Sequence, residues 1–268
     1  MRNDFKILPR YPVFHVPHNG WNFPEELMKS VCIPWKLFLK YHEEMRDTDI
    51  DRVIPDACRR GDMTHIFTIS RLLCDVERFI GPEEVMEQYG MGFCYEKAYD
   101  GTIIKHVSRE LQEKTLSYYS EHHERMDQVC SRHPRILLFD LHSYSDKIIP
   151  ANYLQEGHPT PDLCIGTDDH FTPPELTAIV RKRFAEAGFT TGINYPYSGC
   201  YIPNSVLSGK SETDLAAIML EFHKRTYCDQ KGQPIPERLK SLEMIILQII
   251  ASARGLASPP SCSYHPSQ

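Results

Sequence analysis

Two histidines, His18 and His142, each close a strand-length apolar run. The first run ends VFHVPHNG, where β-branched residues meet a Pro-His-Asn-Gly turn. His18 therefore falls just past a strand end, which is where open α/β sheets bind ligands. A neutral imidazole there can ligate a metal, and Gly20 lets backbone approach closely; the same residues also fit a turn histidine that caps a loop. His15, three residues earlier, reads as a packed core histidine. The second run, RILLFDLHSYS, ends in Asp140 and His142, which period-two alternation turns to one side of the strand. A carboxylate beside a ligating histidine fixes its tautomer and raises its basicity. A buried structural Asp–His pair is the other reading, because buried charge needs a partner in any case.

Two further segments carry ionisable groups at telling positions. In AAIMLEFHKRTY, Met219, Glu221 and His223 share one strand face and Ile218, Leu220 and Phe222 the other. A glutamate on a central strand is costly to bury, its pKa rises unless a cation offsets burial, and such a group suits a general base for a metal-activated water. On an edge strand the same residue would simply face solvent. In SRLLCDVERF, Arg71 and Arg78 bracket Asp75 and Glu77. Planar guanidiniums suit bidentate capture of a substrate carboxylate, while a self-neutralising ion-pair cluster is the plainer reading. The loops PDLCIGTDDH and NYPYSGCYIPN lack the glycine spacing of phosphate cradles. Asp168, Asp169 and Tyr197 in them fit either a ligand-lining role or ordinary turn chemistry.

These residues need a frame. Short apolar runs alternate with helical patterns, so the expected architecture is α/β, with strands over 13–16, 64–73, 135–142, 162–167, 190–195 and 217–226. Helices are expected over 24–31, 34–44, 104–131, 173–187 and 236–253. No linker composition divides the 268 residues, so one domain over 1–256 is expected, followed by a disordered Pro/Ser-rich tail over 257–268. A 41% hydrophobic and 25% charged composition excludes fibrous or disordered classes. A net charge of −6 argues against nucleic acid as a partner and requires any anionic ligand to find a local cationic pocket. No apolar stretch approaches membrane-spanning length, and the N-terminal residues lack a secretory pattern. Nine scattered cysteines without a CxxC pair fit reduced thiols, hence a cytoplasmic setting.

In this order, PHNG, SRLLCDVER, LLFDLHS, PDLCIGTDD and the Leu220-Glu221 pair resemble the N-formylglutamate amidohydrolase family, over roughly 13–227. Its members carry PHSG or PHAG, SRxxxDLNR, DxHS, LGTxDG and xLE. The resemblance implies a single three-layer domain, a mixed β-sheet flanked by helices, of the phosphorylase/hydrolase-like, zinc-exopeptidase kind. It implies one Zn2+ held by His18, His142 and a third ligand from Asp47-Thr48-Asp49, where Asp49 is the expected one. Glu25 and Glu26 are fallbacks, since the HxxE spacing of related carboxypeptidases meets Trp21 here. Glu221 is the expected base, with Arg71 assisting catalysis. Arg71, Arg78, Asn19, Ser143 and Tyr197 are the expected contacts to a small anionic N-acyl amino acid, and Asp140 and Asp75 the supports of the ligands. The implied reaction is hydrolysis of N-formyl-L-glutamate, as in histidine breakdown, to formate and the amino acid. A zinc hydrolase of another N-acyl amino acid or of a peptide terminus, and a metal-free binder of an acidic metabolite, are the rivals. Two departures bear on substrate choice: Glu77 stands where the family has Asn, and His170 where it has Gly.

Overall fold

The computed structural model describes residues 8–81 and 83–257. The expected tail, Ala257 apart, lies outside them; Ala257 itself accepts a hydrogen bond from Arg10 through its carbonyl (3.1 Å). One six-stranded mixed sheet organises the described residues, in the order β2-β1-β3-β6-β4-β5. Its strands are β1 (Tyr11–Val16), β2 (Thr64–Ile66), β3 (Arg135–Tyr144), β4 (Leu163–Gly166), β5 (Thr191–Ile193) and β6 (Asp214–His223). β2, β1, β3 and β6 are mutually parallel, and β4 joins β6 antiparallel. The ends of β1, β3 and β6 that carry His15, His142 and Glu221 therefore point the same way.

Helices cover both faces, which is why β3 is apolar on both sides, as a buried parallel strand must be. Phe14, Leu137, Phe139, Ile218 and Leu220 pack with α4 (Pro174–Glu186) and α6 (Pro236–Ala253). The alternate positions Val13, Ile136, Leu138 and Ala217 pack with Met126 and Val129 of α3 (Arg109–Arg132). A further apolar cluster joins α2 (Trp35–Met45) to the long connection over 67–104, through Phe38, Tyr41, Leu72, Leu73 and Tyr95. Among the described residues no helix is long and apolar enough to cross a membrane. The eight cysteines among the described residues are free thiols.

Four expected elements differ; the strand expected over 217–226 runs instead over Asp214–His223, and a 3-10 turn follows it at Lys224–Thr226. The strand expected over 64–73 stops at Ile66, because Ser70 makes a turn: its hydroxyl accepts from Leu72 N–H, and Leu73 and Cys74 N–H return to its carbonyl. The apolar residues that extended the pattern enter the second cluster instead. The helix expected from 104 begins at Arg109, where the Ser108 side chain caps it by accepting from Leu111 N–H. The helix expected over 24–31 is a single turn, α1 (Glu25–Met28), and a short α5 (Asn204–Leu207) was not expected.

Candidate metal centre and active site

The strand pleat brings His15, Asp140, His142 and Glu221 to the α3 side of the sheet, because they alternate in phase with Val13, Ile136, Leu138 and Ala217. β6 lies between β3 and β4, so Glu221 is on a central strand, level with His142 and 7% exposed. His18 arrives from the turn after β1. Gly20 permits that turn, since a Cβ there would stand 2.2 Å from the Ile69 carbonyl oxygen. Asp47, just past α2, donates its N–H to the His18 carbonyl (3.0 Å), which draws the 46–49 turn to the same place. From the β6 end, Lys224 Nζ donates to the Arg46 carbonyl (2.7 Å) and the Tyr227 hydroxyl to the Thr48 carbonyl (3.0 Å).

The result is a compact set of donors. His18 Nδ1 and His142 Nδ1 are 3.3 Å apart, and Asp47 Oδ2 lies 3.7 and 3.2 Å from them. The outer ring nitrogens face carboxylates: His18 Nε2 meets Asp75 Oδ1 (2.8 Å), and His142 Nε2 meets Asp140 Oδ1 (3.1 Å). Each ring therefore keeps its hydrogen on Nε2, and three lone-pair donors converge with nothing positive between them. That is unfavourable without a cation and favourable with one. Three ligands about 2.1 Å from a tetrahedral ion stand about 3.4 Å apart, which the observed spacing matches. A second grouping, His18, His142 and Glu77, uses the outer edge, with Glu77 Oε2 3.7 and 3.1 Å from the two Nε2 atoms. It suits an ion less, because a metal there would displace the Asp75 and Asp140 hydrogen bonds that orient the rings.

Burial works against every charge here, and the neighbours decide the outcome. Asp75 is desolvated, yet His18, Arg71 and Arg78 hold its carboxyl well below the usual range. Asp140 is likewise lowered by His142 and His15 against burial. His142 is desolvated but raised well above its ordinary value by Glu77 and Asp140. Glu221 is pushed up to about 8 by burial, with Asp47 and Glu77 adding to it and His142 and Arg71 opposing.

Several expected residues gather in this site and others do not. Asp75 is a hub: besides His18 it accepts from Arg71 Nη2 (2.8 Å), the Tyr95 hydroxyl (2.9 Å) and Glu77 N–H (3.0 Å). Arg78 Nε is 3.8 Å from the same carboxylate and 3.3 Å from the Met91 carbonyl. Arg71 Nε is buried without a partner among the described residues. Ser143 donates to the free oxygen of Asp47 (3.3 Å), and Tyr197 packs on Tyr144 and Tyr153. Burial, then Glu221, pushes the Tyr197 hydroxyl up.

Asp49 stands outside the set, contrary to expectation. It takes a left-handed turn position (φ 53°), its carboxylate meets Arg52 (3.4 Å) and Arg46 (3.7 Å), and the donor delivered to the histidines is Asp47. Asn19 is used up bracing that turn, donating to Asp51 (2.7 Å) and accepting from Asp49 N–H (3.1 Å) and Arg46 (3.2 Å). Glu25 pairs with Lys29, and Glu26 accepts from the Tyr118 hydroxyl. Asp168 makes a turn, accepting from His170 and Phe171 N–H.

Three participants escaped the sequence reading. In the sequence Asp47 stands only as one member of the Asp47-Thr48-Asp49 pair. Its signal is that Asp49 already has Arg46 and Arg52 three residues away on either side, while Asp47 has no such local partner. The sequence marks Glu77 by its charge and gives no sign of its place against the histidines. His15 is no bystander: its Nδ1 meets Asp140 Oδ1 (2.9 Å) and its Nε2 meets His122 Nε2 (2.9 Å), so it backs the carboxylate that orients His142.

No curated protein matches the chain. Among solved structures, the N-formylglutamate amidohydrolase of Ralstonia eutropha JMP134 superposes with a TM-score of 0.74 at 20% identity, over 94% of this chain and 96% of that one, a likeness of fold. A bacteriophage poly-gamma-glutamate hydrolase overlaps 48% of this chain and 58% of its own at 12% identity and a TM-score of 0.30, too little to carry an argument. Residues 12–228 match one protein family, a span that takes in the sheet, both histidines and Glu221. On that match this chain belongs to the N-formylglutamate amidohydrolase family.

Proposed function

We propose that this chain is a metal-dependent hydrolase that cleaves the formamide bond of an N-formyl amino acid of the N-formyl-L-glutamate kind, releasing formate and the free amino acid. The reading rests on one observation above all. His18 Nδ1, His142 Nδ1 and Asp47 Oδ2 converge on one point beside a glutamate buried on a central strand. These three would hold a single divalent ion, zinc by the mix of imidazole and carboxylate donors, and Asp75 and Asp140 would fix the ring tautomers. When bound, the ion supplies Lewis acidity for the formyl carbonyl and acidifies a water.

The protein's own groups do the rest. Arg71, whose side chain keeps some exposed surface beside the donor set, binds the α-carboxylate of a small anionic N-acyl amino acid and fixes the formyl group against the site. Glu221 takes the proton of the attacking water as oxygen adds to the formyl carbon, then hands it to the departing nitrogen as the C–N bond breaks. A carboxyl tuned to about 8 is poised for both halves of that transfer near neutrality, and a cation at the donor set would draw it lower.

Glu221→Gln tests the assignment. It should keep about one ion per chain by elemental analysis while formate release falls by roughly 10²- to 10⁴-fold. Near wild-type turnover would remove Glu221 from the mechanism, and a metal-loaded wild-type protein that releases no formate would remove the reaction.

A further inference from the structure

We infer that His122, on α3, is a positioning residue for the metal centre, acting through His15 and Asp140 on His142; the inference rests on reading His142 as a ligand and carries that reading one helix further. The hydrogen bonds run in one chain. His142 Nε2 meets Asp140 Oδ1 (3.1 Å), the same oxygen meets His15 Nδ1 (2.9 Å), and His15 Nε2 meets His122 Nε2 (2.9 Å). All four side chains are buried. An ionised carboxylate only accepts, so both ring nitrogens that face Asp140 carry hydrogens, and Asp140 Oδ2 accepts a third from Tyr201 N–H (2.9 Å). Between His15 Nε2 and His122 Nε2 there is room for one hydrogen. With both rings neutral it belongs to His122, and His15 is then held at both nitrogens. Its ring can neither turn over nor change tautomer without breaking a buried hydrogen bond.

The sequence of α3 makes this contact costly unless it serves something. His122 lies in phase with Met126 and Val129, which pack with Val13, Ile136 and Leu138, so an apolar side chain at 122 would continue the stripe. A histidine stands there instead and meets a second histidine across the interface. A buried ring nitrogen costs free energy unless it has a partner, and here each ring supplies the other's. The surroundings hold the ring planes as well: His15 stacks on Tyr201 (centroids 4.0 Å apart), and His122 packs on His65 (4.4 Å) and edge-on to Phe67 (5.2 Å). His65 Nε2 donates to the His122 carbonyl (3.0 Å), which ties this turn of α3 to β2. The position of the helix thereby sets the angle at which Asp140 holds His142, and with it the direction of His142 Nδ1.

Two substitutions separate positioning from packing. Packing alone favours His122→Leu, which continues the apolar stripe; positioning favours His122→Gln, whose amide N–H can donate to His15 Nε2 in place of the ring. Zinc affinity, read by competition with a chelator, should fall about tenfold in His122→Leu, the lower end of what losing an outer support costs, and return to within about threefold of wild type in His122→Gln. Heteronuclear NMR of the imidazole nitrogens in the zinc-loaded wild-type protein, which needs no variant, should find the His15 hydrogen on Nδ1 and the His122 hydrogen on Nε2. A His15 ring with its hydrogen on Nε2 alone, a leucine variant that binds zinc as tightly as wild type, or equal losses in the two variants each overturns the inference while leaving the donor set intact. The reading beneath it fails differently: His142→Ala would then bind zinc no worse than wild type, and the inference would fall with it.

Discussion

The centre draws on two regions that are built differently. Asp140, His142 and Glu221 sit at the ends of β3 and β6, which pair over ten residues each, from Arg135↔Asp214 to Tyr144↔His223. Their direction is set by the pleat, and the backbone ladder would hold it whatever the side chains were. Arg71, Asp75, Glu77 and Arg78 sit in the connection over 67–104, where regular structure is sparse. Side chains hold that segment in place: His42 Nδ1 on the Ser70 hydroxyl (2.9 Å), buried Lys105 Nζ on the Leu73 carbonyl (2.9 Å), His123 Nε2 on the Val76 carbonyl (2.9 Å). One half of the site is therefore fixed by main-chain geometry and the other by a few polar contacts, and the second half should fail first.

Removing the hub of the connection should produce the largest effect. Asp75→Ala leaves Arg71, His18 and the Tyr95 hydroxyl without their shared acceptor, and stranding buried partners costs about 3–5 kcal/mol. Denaturant titration should register that loss, and limited proteolysis should cut within 67–104 while β3 and β6 stay protected. Cleavage that begins in the two long strands would erase the distinction between the regions.

The 46–49 turn gives a smaller and more local contrast. Asp47→Ala should weaken zinc binding by about 100-fold or more, the upper end of what removing even an outer support does. Asp49→Asn keeps a residue suited to the left-handed turn position, loses only the ion pairs with Arg46 and Arg52, and should stay within about 0.5 kcal/mol of wild type in stability. It should also leave zinc affinity within twofold. Competition with a chelator reads both, and equal losses for the two variants would return the third ligand to an open question.

The same division explains what could be read from the sequence. Asp140, His142 and Glu221 were legible because strand alternation maps residue number onto a face once the apolar runs Ile136–Phe139 and Leu215–Leu220 are read as strands. Alternation gave the α/β class, and the sheet's mixed character came from the resemblance. The connection was not. FTISRLL alternates like a strand, but the Ser70 hydroxyl closes a turn that no periodicity announces, so Arg71 was placed on an element that ends at Ile66. For Asp47 and Asp49, two acids one residue apart, only the tertiary contact of Asp47 N–H with the His18 carbonyl decides which faces the histidines. Glu77 was visible as an odd charge, but its position against three imidazoles depends on the fold of the connection around Asp75.

Acid offers the mildest way to separate the two regions. His42, held by Ser70, is pushed down to about 3 by burial, with Arg46 and Lys224 adding to it; His123, held by Val76, is pushed down to about 4 by burial and His15. Both anchor the connection. A histidine whose folded pKa lies below its unfolded value of about 6.5 binds a proton only when its surroundings open. As pH falls below about 6.5 the open form gains protons that the closed form refuses, so closure weakens by up to about 1.4 kcal/mol per pH unit for each ring until the folded value is reached. His142, on the strand side, is raised, and a group whose folded pKa lies above its unfolded one adds no such loss as pH falls. Hydrogen exchange followed from pH 7 to 4.5 on the metal-free protein, corrected for the intrinsic rate, should therefore show protection falling over 67–104 while the β3 and β6 amides hold. His42→Gln, which cannot titrate, should flatten part of that fall. Parallel loss in both regions, or a connection whose protection ignores pH, would mean that the buried imidazoles are not what keeps this half of the site closed.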